Sequence, residues 1–450
     1  MRCSEFARRC GGAWSGPGDP EITGFATDSR DAGLGSLFIA IKGDRVDGHA
    51  FVAAAASQGA VACLVERDCG IPQITVDDVE SALAAFGRSL RAEFHGPVVG
   101  ITGSNGKTTV KEFTAAALHP LGTVLKTIGN KNTQYTSPLL WAGLTPDTKA
   151  VVVEMGMRGF GQIRHLAGIS LPTVGVVTVI GTAHIEKVGS REGIFRAKSE
   201  LLEALPADGV AVVWREDDFF PDLAAVPKCR TLSFGASHEA DCQVVGYRSD
   251  QWGKCTVRLA FKGHEAEVDL PTFGRHQALN AAAAALAATC CGVDFTQAVE
   301  GLASADLPGM RLEVLVRQGV TVLVDTYNAS PDSTVAALEA LAQGPAQGRR
   351  LAVLGEMKEL GDFTERGHRL VGQALAHSGV DRALLTGGPT RYIYDEARSA
   401  GMKEADMTSL DELDLHRVRA FLDGLEPGDT VLIKGSRALG LESVLEGWRA

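Results

Sequence analysis

The segment Gly100-Ile101-Thr102-Gly103-Ser104-Asn105-Gly106-Lys107-Thr108-Thr109 constrains this chain more than any other. The apolar run Pro97-Val98-Val99 precedes it, and a helix-like stretch over residues 110–118 follows. A strand, a Gly-rich turn and a helix start in that order commit the surrounding chain to layers of strands and helices, and they build a phosphate cradle. Backbone N–H groups at the turn and helix N-terminus point at an anion, and small residues let the backbone approach it. In such a cradle Lys107 reaches the β/γ-phosphates and the Thr108 hydroxyl ligates Mg²⁺. The generic spacing places a glycine six residues before the lysine. Ile101 stands there, so the loop suits a shorter form, Thr-Gly-x-x-Gly-Lys-Thr. The plain alternative is a Gly-rich turn that binds nothing, and the Lys-Thr-Thr ending argues against it. The segment points to a nucleoside triphosphate without saying what it is used for.

The 450 residues suffice for two to four domains. A net charge of −11 argues against broad binding to nucleic acid or to an anionic membrane. A local basic pocket for an anionic substrate remains compatible with that charge. Nine cysteines at 3, 10, 63, 69, 229, 242, 255, 290 and 291 contain no C-x-x-C pair. Neither a zinc site nor a disulfide framework is indicated, and free thiols in a reducing cytosol are expected. The first ten residues carry four charges and no long apolar core, so they do not read as a signal peptide. No stretch reaches about 18 apolar residues, so no membrane span is expected.

Short apolar runs over 37–41 and 60–65, with a helix over 51–57, suggest a small α/β unit in the first 80 residues. From about 95 to 305, β-branched runs at 97–101, 150–154, 174–179 and 210–214 alternate with helical stretches. That alternation indicates a buried, mostly parallel sheet with helices on both faces. Leu307-Pro308-Gly309 reads as a linker. Strand-like runs at 320–324, 351–354, 382–385 and 430–433 then describe a second, Rossmann-like α/β unit. The expected organisation is therefore α/β with three domains, at 1–82, 83–307 and 308–450.

Ligands of such sheets bind beyond the carboxyl ends of the strands. Glu154 ends one strand and His184 lies just past another, which places both on the nucleotide side. Glu154 suits a metal ligand or a surface acid; His184 suits a ligand or a structural histidine. In the helix over 190–205, Ser190 is a good N-cap. Ile194, Phe195, Leu201, Leu202 and Leu205 form its apolar face. Lys198 falls on that face, so it must snorkel, pair with an anion or lose its charge. A neutral amine there can react with CO₂, and the resulting carbamate is an anionic oxygen ligand suited to Mg²⁺. Asp325-Thr326-Tyr327-Asn328 follows a strand and offers either an acid for a ribose or cation, or a turn closed by Asp and Asn. Lys434-Gly435-Ser436-Arg437 offers either a seat for a carboxylate or phosphate, or an exposed basic turn.

Taken together, these residues resemble the Mur ligase family, the ATP-dependent amide-forming enzymes of peptidoglycan synthesis. The resemblance covers nearly the whole chain. It rests on Thr27-Asp28-Ser29-Arg30, residues 37–43 and Asp47-Gly48-His49 in the first domain. In the second it rests on the cradle with Val110-Lys111-Glu112, and on Gly129-Asn130-Lys131-Asn132-Thr133 and Val153-Glu154-Met155-Gly156. His184-Ile185-Glu186, Ala197-Lys198-Ser199-Glu200 and Phe273-Gly274-Arg275-His276 with Asn280 complete that set. In the third domain, Met310-Arg311-Leu312-Glu313, residues 325–333, residues 353–361 and Lys434-Gly435-Ser436-Arg437 are similar to the branch that adds D-alanyl-D-alanine.

The resemblance implies roles. Gly103, Ser104, Asn105, Gly106, Lys107, Thr108 and Thr109 would hold ATP phosphates, and Asn280, Arg311 and Asp325 would contact the nucleotide. Thr108 and Glu154 would bind one Mg²⁺, with His184 and carbamylated Lys198 serving a second. Ser29, Arg30, Lys42 and His49 would bind the UDP part of UDP-N-acetylmuramoyl-tripeptide, with Asn132 also on the substrate. Lys434, Ser436 and Arg437 would help seat the incoming D-alanyl-D-alanine or ATP. The implied setting is a cytoplasmic monomer that engages no nucleic acid and no membrane. Two departures stand out: Thr136 occupies the place of a family glycine, and Val179-Ile180-Gly181-Thr182-Ala183 lacks an Asn that many relatives carry before the histidine. A diaminopimelate- or lysine-adding ligase, a folylpolyglutamate-type ligase and a non-catalytic ATP-binding switch remain as alternatives.

Overall fold

The computed structural model describes residues 1–43 and 46–449; Asp44, Arg45 and Ala450 lie outside the described residues. Among the described residues the strands form three sheets, of five, nine and six strands. They follow one another along the chain, with strands within 13–75, 98–270 and 313–434.

In the nine-stranded sheet, Val98–Thr102 lies between Thr148–Glu154 and Val174–Val177 and runs parallel to both. Val98, Val99, Ile101, Val151, Val152 and Val176 are fully buried. Their runs are continuously apolar because helices cover both faces of the sheet. One layer includes Lys107–Ala117 packed on Arg275–Cys290, whose alanines 281–288 are all buried and let the two helices approach closely. The other includes Gln162–Ser170 and Arg191–Glu203. Each buried Val or Ile contributes on the order of 1.5–3 kcal/mol. After Val98–Thr102 the chain goes to the edge strand Thr123–Lys126, and it later returns on the other side of Val98–Thr102 with Val174–Val177. The carboxyl end of Val98–Thr102 is thus a topological switch point, where doubly wound sheets bind ligands.

The far edge of this sheet departs from a purely parallel pattern. Cys242–Gln251, Lys254–Phe261 and His264–Leu270 form an antiparallel meander. Burial alternates along the last of these strands, so one face is solvated and no continuous apolar run marks it in the sequence.

In the third sheet Val320–Asp325 pairs in parallel with Thr430–Lys434, which sets Asp325 directly opposite Lys434. The seam expected at 82/83 falls inside the helix Val79–Arg91. Phe86 of this helix packs on Phe6 of the first unit, ring centroids 4.3 Å apart. A Cβ on neighbouring Gly87 would come within 2.9 Å of Ile169 in the central unit. Arg91, at the helix end, donates to the Ser170 carbonyl at 2.7 Å and the Leu171 carbonyl at 3.1 Å. The helix is therefore shared by both units.

Candidate active site

The loop after Val98–Thr102 has no room for side chains at its glycines. Gly103 and Gly106 have φ of 151° and 81°. A Cβ on Gly103 would lie 1.8 Å from Thr178 Oγ1, and one on Gly106 would lie 2.6 Å from Asn280 Oδ1. Only glycine meets both the backbone and the steric demand. Lys107 opens the following helix, and its Nζ donates to the carbonyl oxygens of Gly103 at 2.8 Å and Ser104 at 3.3 Å. Burial lowers the Lys107 pKa, with Glu154 opposing that shift and Arg311 adding to it.

A cleft of about 1160 Å³ opens beside this loop. From the central unit, residues 104–109, Asn132, Glu154, His184, Lys198 and Asn280 line it. From the third unit, Arg311, Asp325 and Lys434 line it. Arg311 reaches across to donate to Thr108 Oγ1 at 3.2 Å, and its guanidinium lies 3.9 Å from the centroid of the Tyr327 ring.

Glu154 is almost fully buried. Its Oε1 accepts from Asn132 Nδ2 at 2.7 Å, and its backbone N–H donates to Thr127 Oγ1 at 3.0 Å. Its Oε2 has no hydrogen bond; Lys111 Nζ stands 3.8 Å away and is closer, at 2.9 Å, to Glu112. A buried acceptor left without a donor costs about 1–3 kcal/mol, so this oxygen has coordination to spare. A spare carboxylate oxygen and the Thr108 hydroxyl are hard donors of the kind Mg²⁺ takes when phosphates supply its other ligands. Among the described residues no three His, Cys, Asp or Glu side chains converge into a cage for an ion. The donors present therefore fit a metal that arrives with phosphate.

His184 caps the short helix Ile185–Val188 in a left-handed conformation, φ 64°. Its Nδ1 lies 2.5 Å from Glu359 Oε2 of the third unit, and this hydrogen bond holds the Glu359 pKa below the usual carboxylate value. Only the Nε2 of His184 is left for another partner. Lys198, on the helix Arg191–Glu203 behind its Ser190 cap, is 1 % exposed. It makes no hydrogen bond or ion pair among the described residues. Burial, and secondarily the charge of Lys107, hold its pKa well below 10.5.

Other expected residues are placed differently. Lys434 is 2 % exposed and donates to Asp325 Oδ2 at 2.6 Å and the Asn328 carbonyl at 3.0 Å. It is neither an exposed basic turn nor a free seat for an anion; its charge is matched within its own sheet. Ser436 is buried and accepts from the Lys358 N–H at 2.9 Å. Arg437 pairs with Glu442, and neither Ser436 nor Arg437 lines the cleft.

In the first unit, Ser29, Arg30, Lys42 and His49 lie outside the cleft lining. Arg30 pairs with Asp28 at 2.5 Å. His49 is buried, with Nδ1 2.6 Å from Asp47 Oδ1 and Nε2 accepting from the Glu66 N–H at 2.9 Å. Both ring nitrogens are engaged within the first unit.

Three cleft neighbours were marked in the sequence only as parts of motifs, with no role. Lys111, in Val110-Lys111-Glu112, is fully buried beside Glu154. Glu359, in the motif over 353–361, holds His184. His276 lines the cleft, and burial lowers its pKa to about 4. The Phe273-Gly274-Arg275-His276 motif marked its position but not its chemistry.

Comparison with known proteins adds independent findings. Residues 21–89 match the model for the Mur ligase family catalytic domain, 101–288 the Mur ligase middle domain, and 310–437 the Mur ligase glutamate ligase domain. The chain is 34 % identical to UDP-N-acetylmuramoyl-tripeptide–D-alanyl-D-alanine ligase of Bacillus subtilis (strain 168), covering 94 % of this chain and 93 % of that protein. The crystal structure of MurF from Acinetobacter baumannii superposes with a TM-score of 0.88 at 29 % identity, over 100 % of this chain and 99 % of the other. MurF ligase from Thermotoga maritima in complex with ADP superposes with a TM-score of 0.80 at 32 % identity, over 95 % and 97 %. The three domain matches follow one another in the order of the three sheets, and the chain belongs to the Mur ligase family.

Proposed function

We propose that this chain is an ATP-dependent ligase that adds D-alanyl-D-alanine to UDP-N-acetylmuramoyl-tripeptide through an acyl phosphate, in peptidoglycan precursor synthesis. One observation carries the reading. The phosphate loop, the spare oxygen of Glu154 and the unpartnered Lys198 face one cleft that a second α/β unit completes. The similarity to ligases of that name and to an ADP complex supports it.

In the reaction the tripeptide carboxylate attacks the γ-phosphorus of ATP, and ADP leaves with the bridging oxygen. The dipeptide amine then attacks the acyl phosphate carbonyl, and inorganic phosphate leaves as the amide forms. Both steps bring anions or polar groups to an already anionic centre, so catalysis is mostly positioning and charge neutralisation. The loop amides and Lys107 hold the phosphates, and Arg311 and Asn280 border the nucleotide. Mg²⁺ would be held by Thr108 and Glu154, and a second ion by His184 and carbamylated Lys198; bound there, such ions neutralise the triphosphate. Lys198 is equipped for carbamylation because burial favours its neutral amine, which adds to CO₂ with loss of a proton. Ser29, Arg30 and Lys42 remain the candidates for the UDP part, in the first unit. The chain is read as a monomer, and nine unpaired cysteines fit a reducing cytoplasm.

The test is an ATP-dependent ligation with UDP-N-acetylmuramoyl-tripeptide and D-alanyl-D-alanine, read by mass spectrometry. The expected product is the pentapeptide precursor with equimolar ADP and phosphate. Product with diaminopimelate or glutamate instead reassigns the amine, and no phosphate release with any acceptor favours a nucleotide-binding switch.

A further inference from the structure

The segment leading to His184 is pinned on two sides. Gly181 N–H donates to Ser104 Oγ of the phosphate loop at 2.9 Å. The next residue, Thr182, donates twice to Asp332 Oδ2 of the third unit, through its N–H at 2.8 Å and its hydroxyl at 2.7 Å. A Cβ on Gly181 would lie 2.5 Å from Asp332 Oδ2 and 3.3 Å from the Ser104 Cβ. The glycine is therefore held in a slot between the two units. Asp332 sits in the first turn of the helix Pro331–Gln343, where the dipole favours an anion. The cap of that helix, Ser330, also donates to Asn105 of the phosphate loop at 3.2 Å.

We propose that Asp332 is a positioning residue that fastens the third unit to the His184 segment, beside the phosphate loop that Gly181 touches at Ser104. Two hydrogen bonds to one ionised oxygen are strong for their number. Asp332 also keeps an exposed side, so water replaces Thr182 when the units part, and the contact is reversible. When it forms, it delivers His184, two residues on, to the cleft wall in its left-handed backbone conformation. The inference rests on the ligase reading above.

The test compares Asp332→Ala, Thr182→Val and Thr182→Ser with the unaltered enzyme, measuring ligation kinetics and affinity for a fluorescent ADP analogue. It adds small-angle scattering with a non-hydrolysable ATP analogue and the precursor. Misplacing a catalytic segment costs roughly 10- to 100-fold in rate. Asp332→Ala and Thr182→Val are expected to lose kcat on that scale, with ADP affinity held within about twofold and without the compaction expected of the unaltered enzyme. Thr182→Ser, which keeps both donors, is expected to restore both. If Asp332→Ala does not fold, the isosteric Thr182→Val decides. Unchanged kcat and compaction in Asp332→Ala, or a fall in ADP affinity proportional to the fall in kcat, would overturn the proposal. Absence of ligation in the unaltered enzyme would count against the ligase reading alone, and the scattering comparison would still decide the fastening.

Discussion

Lys434→Met separates a fold-holding charge from a substrate-binding one. The Lys434 side chain is 2 % exposed and that of Asp325 is 14 % exposed, with 2.6 Å between Nζ and Oδ2. Removing the ammonium strands the Asp325 carboxylate and takes a donor from the Asn328 carbonyl. Breaking a buried pair from one side costs about 3–5 kcal/mol. Asp325 keeps some contact with water, so the lower end, about 3 kcal/mol, is expected. At roughly 2–4 °C per kcal/mol, the transition of the third unit should fall by roughly 6–12 °C in scanning calorimetry. The double variant Asp325→Asn/Lys434→Met removes both charges and should regain most of the loss, because a buried pair is worth little beyond its own desolvation. Ligation kinetics run in parallel. If Lys434→Met melts like the unaltered enzyme but raises KM for the dipeptide, Lys434 binds substrate and the structural argument fails.

Other expectations follow from the same geometry. Lys107→Ala should remove ATP turnover measured as ADP release, and unchanged turnover would take the loop out of the mechanism. Lys198→Ala should abolish ligation and Lys198→Arg should not restore it, since a guanidinium forms no carbamate; wild-type activity in the alanine variant would sink the carbamate role. Burial sets the folded-state pKa of Lys198 below 10.5, so between the two values the unfolded chain holds the extra proton. Stability from this group therefore rises with pH across that window. Below the window the amine is charged, and activity in bicarbonate-depleted buffer should fall as pH drops and recover on adding bicarbonate. His49→Ala should cost about 1–3 kcal/mol, by leaving the Glu66 N–H and Asp47 without their partner. The KM for the UDP precursor should stay unchanged in the folded fraction, measured by thermal melting and steady-state kinetics.

The readable parts of the sequence were those in which one local rule decides. Val98, Val99 and Ile101 announce a doubly covered strand because nothing polar interrupts them, and Gly103 and Gly106 announce the loop because no other residue fits. The helix cap at Ser190 and the misplaced charge of Lys198 were visible by the same kind of reasoning, from helical periodicity alone. What escaped depends on partners distant in sequence. Lys434 reads as either an anion seat or a basic turn until the sheet register sets it opposite Asp325, 109 residues away. His49 reads as a ligand until Glu66 arrives to occupy its second nitrogen. Glu359 and His184 are 175 residues apart, and no local pattern predicts that they meet. The antiparallel meander escaped for another reason: its alternating burial leaves no run long enough to stand out.

The helix Val79–Arg91 makes the two seams of this chain unequal for anyone recombining such enzymes. With Phe86 among the aromatics of the first unit, Gly87 against Ile169 and Arg91 on the carbonyls of Ser170 and Leu171, a crossover at residue 82 would cut the helix within its first turns. The graft would bring Phe6 without the Phe86 it packs on, and without Gly87 and Arg91. A transplanted first unit should therefore travel with the whole helix and with the central loop it grips. The seam at Leu307-Pro308-Gly309 lies outside any helix or strand, so a crossover there cuts no element, although the third unit must bring its contacts from Arg311, Asp332 and Glu359 with it.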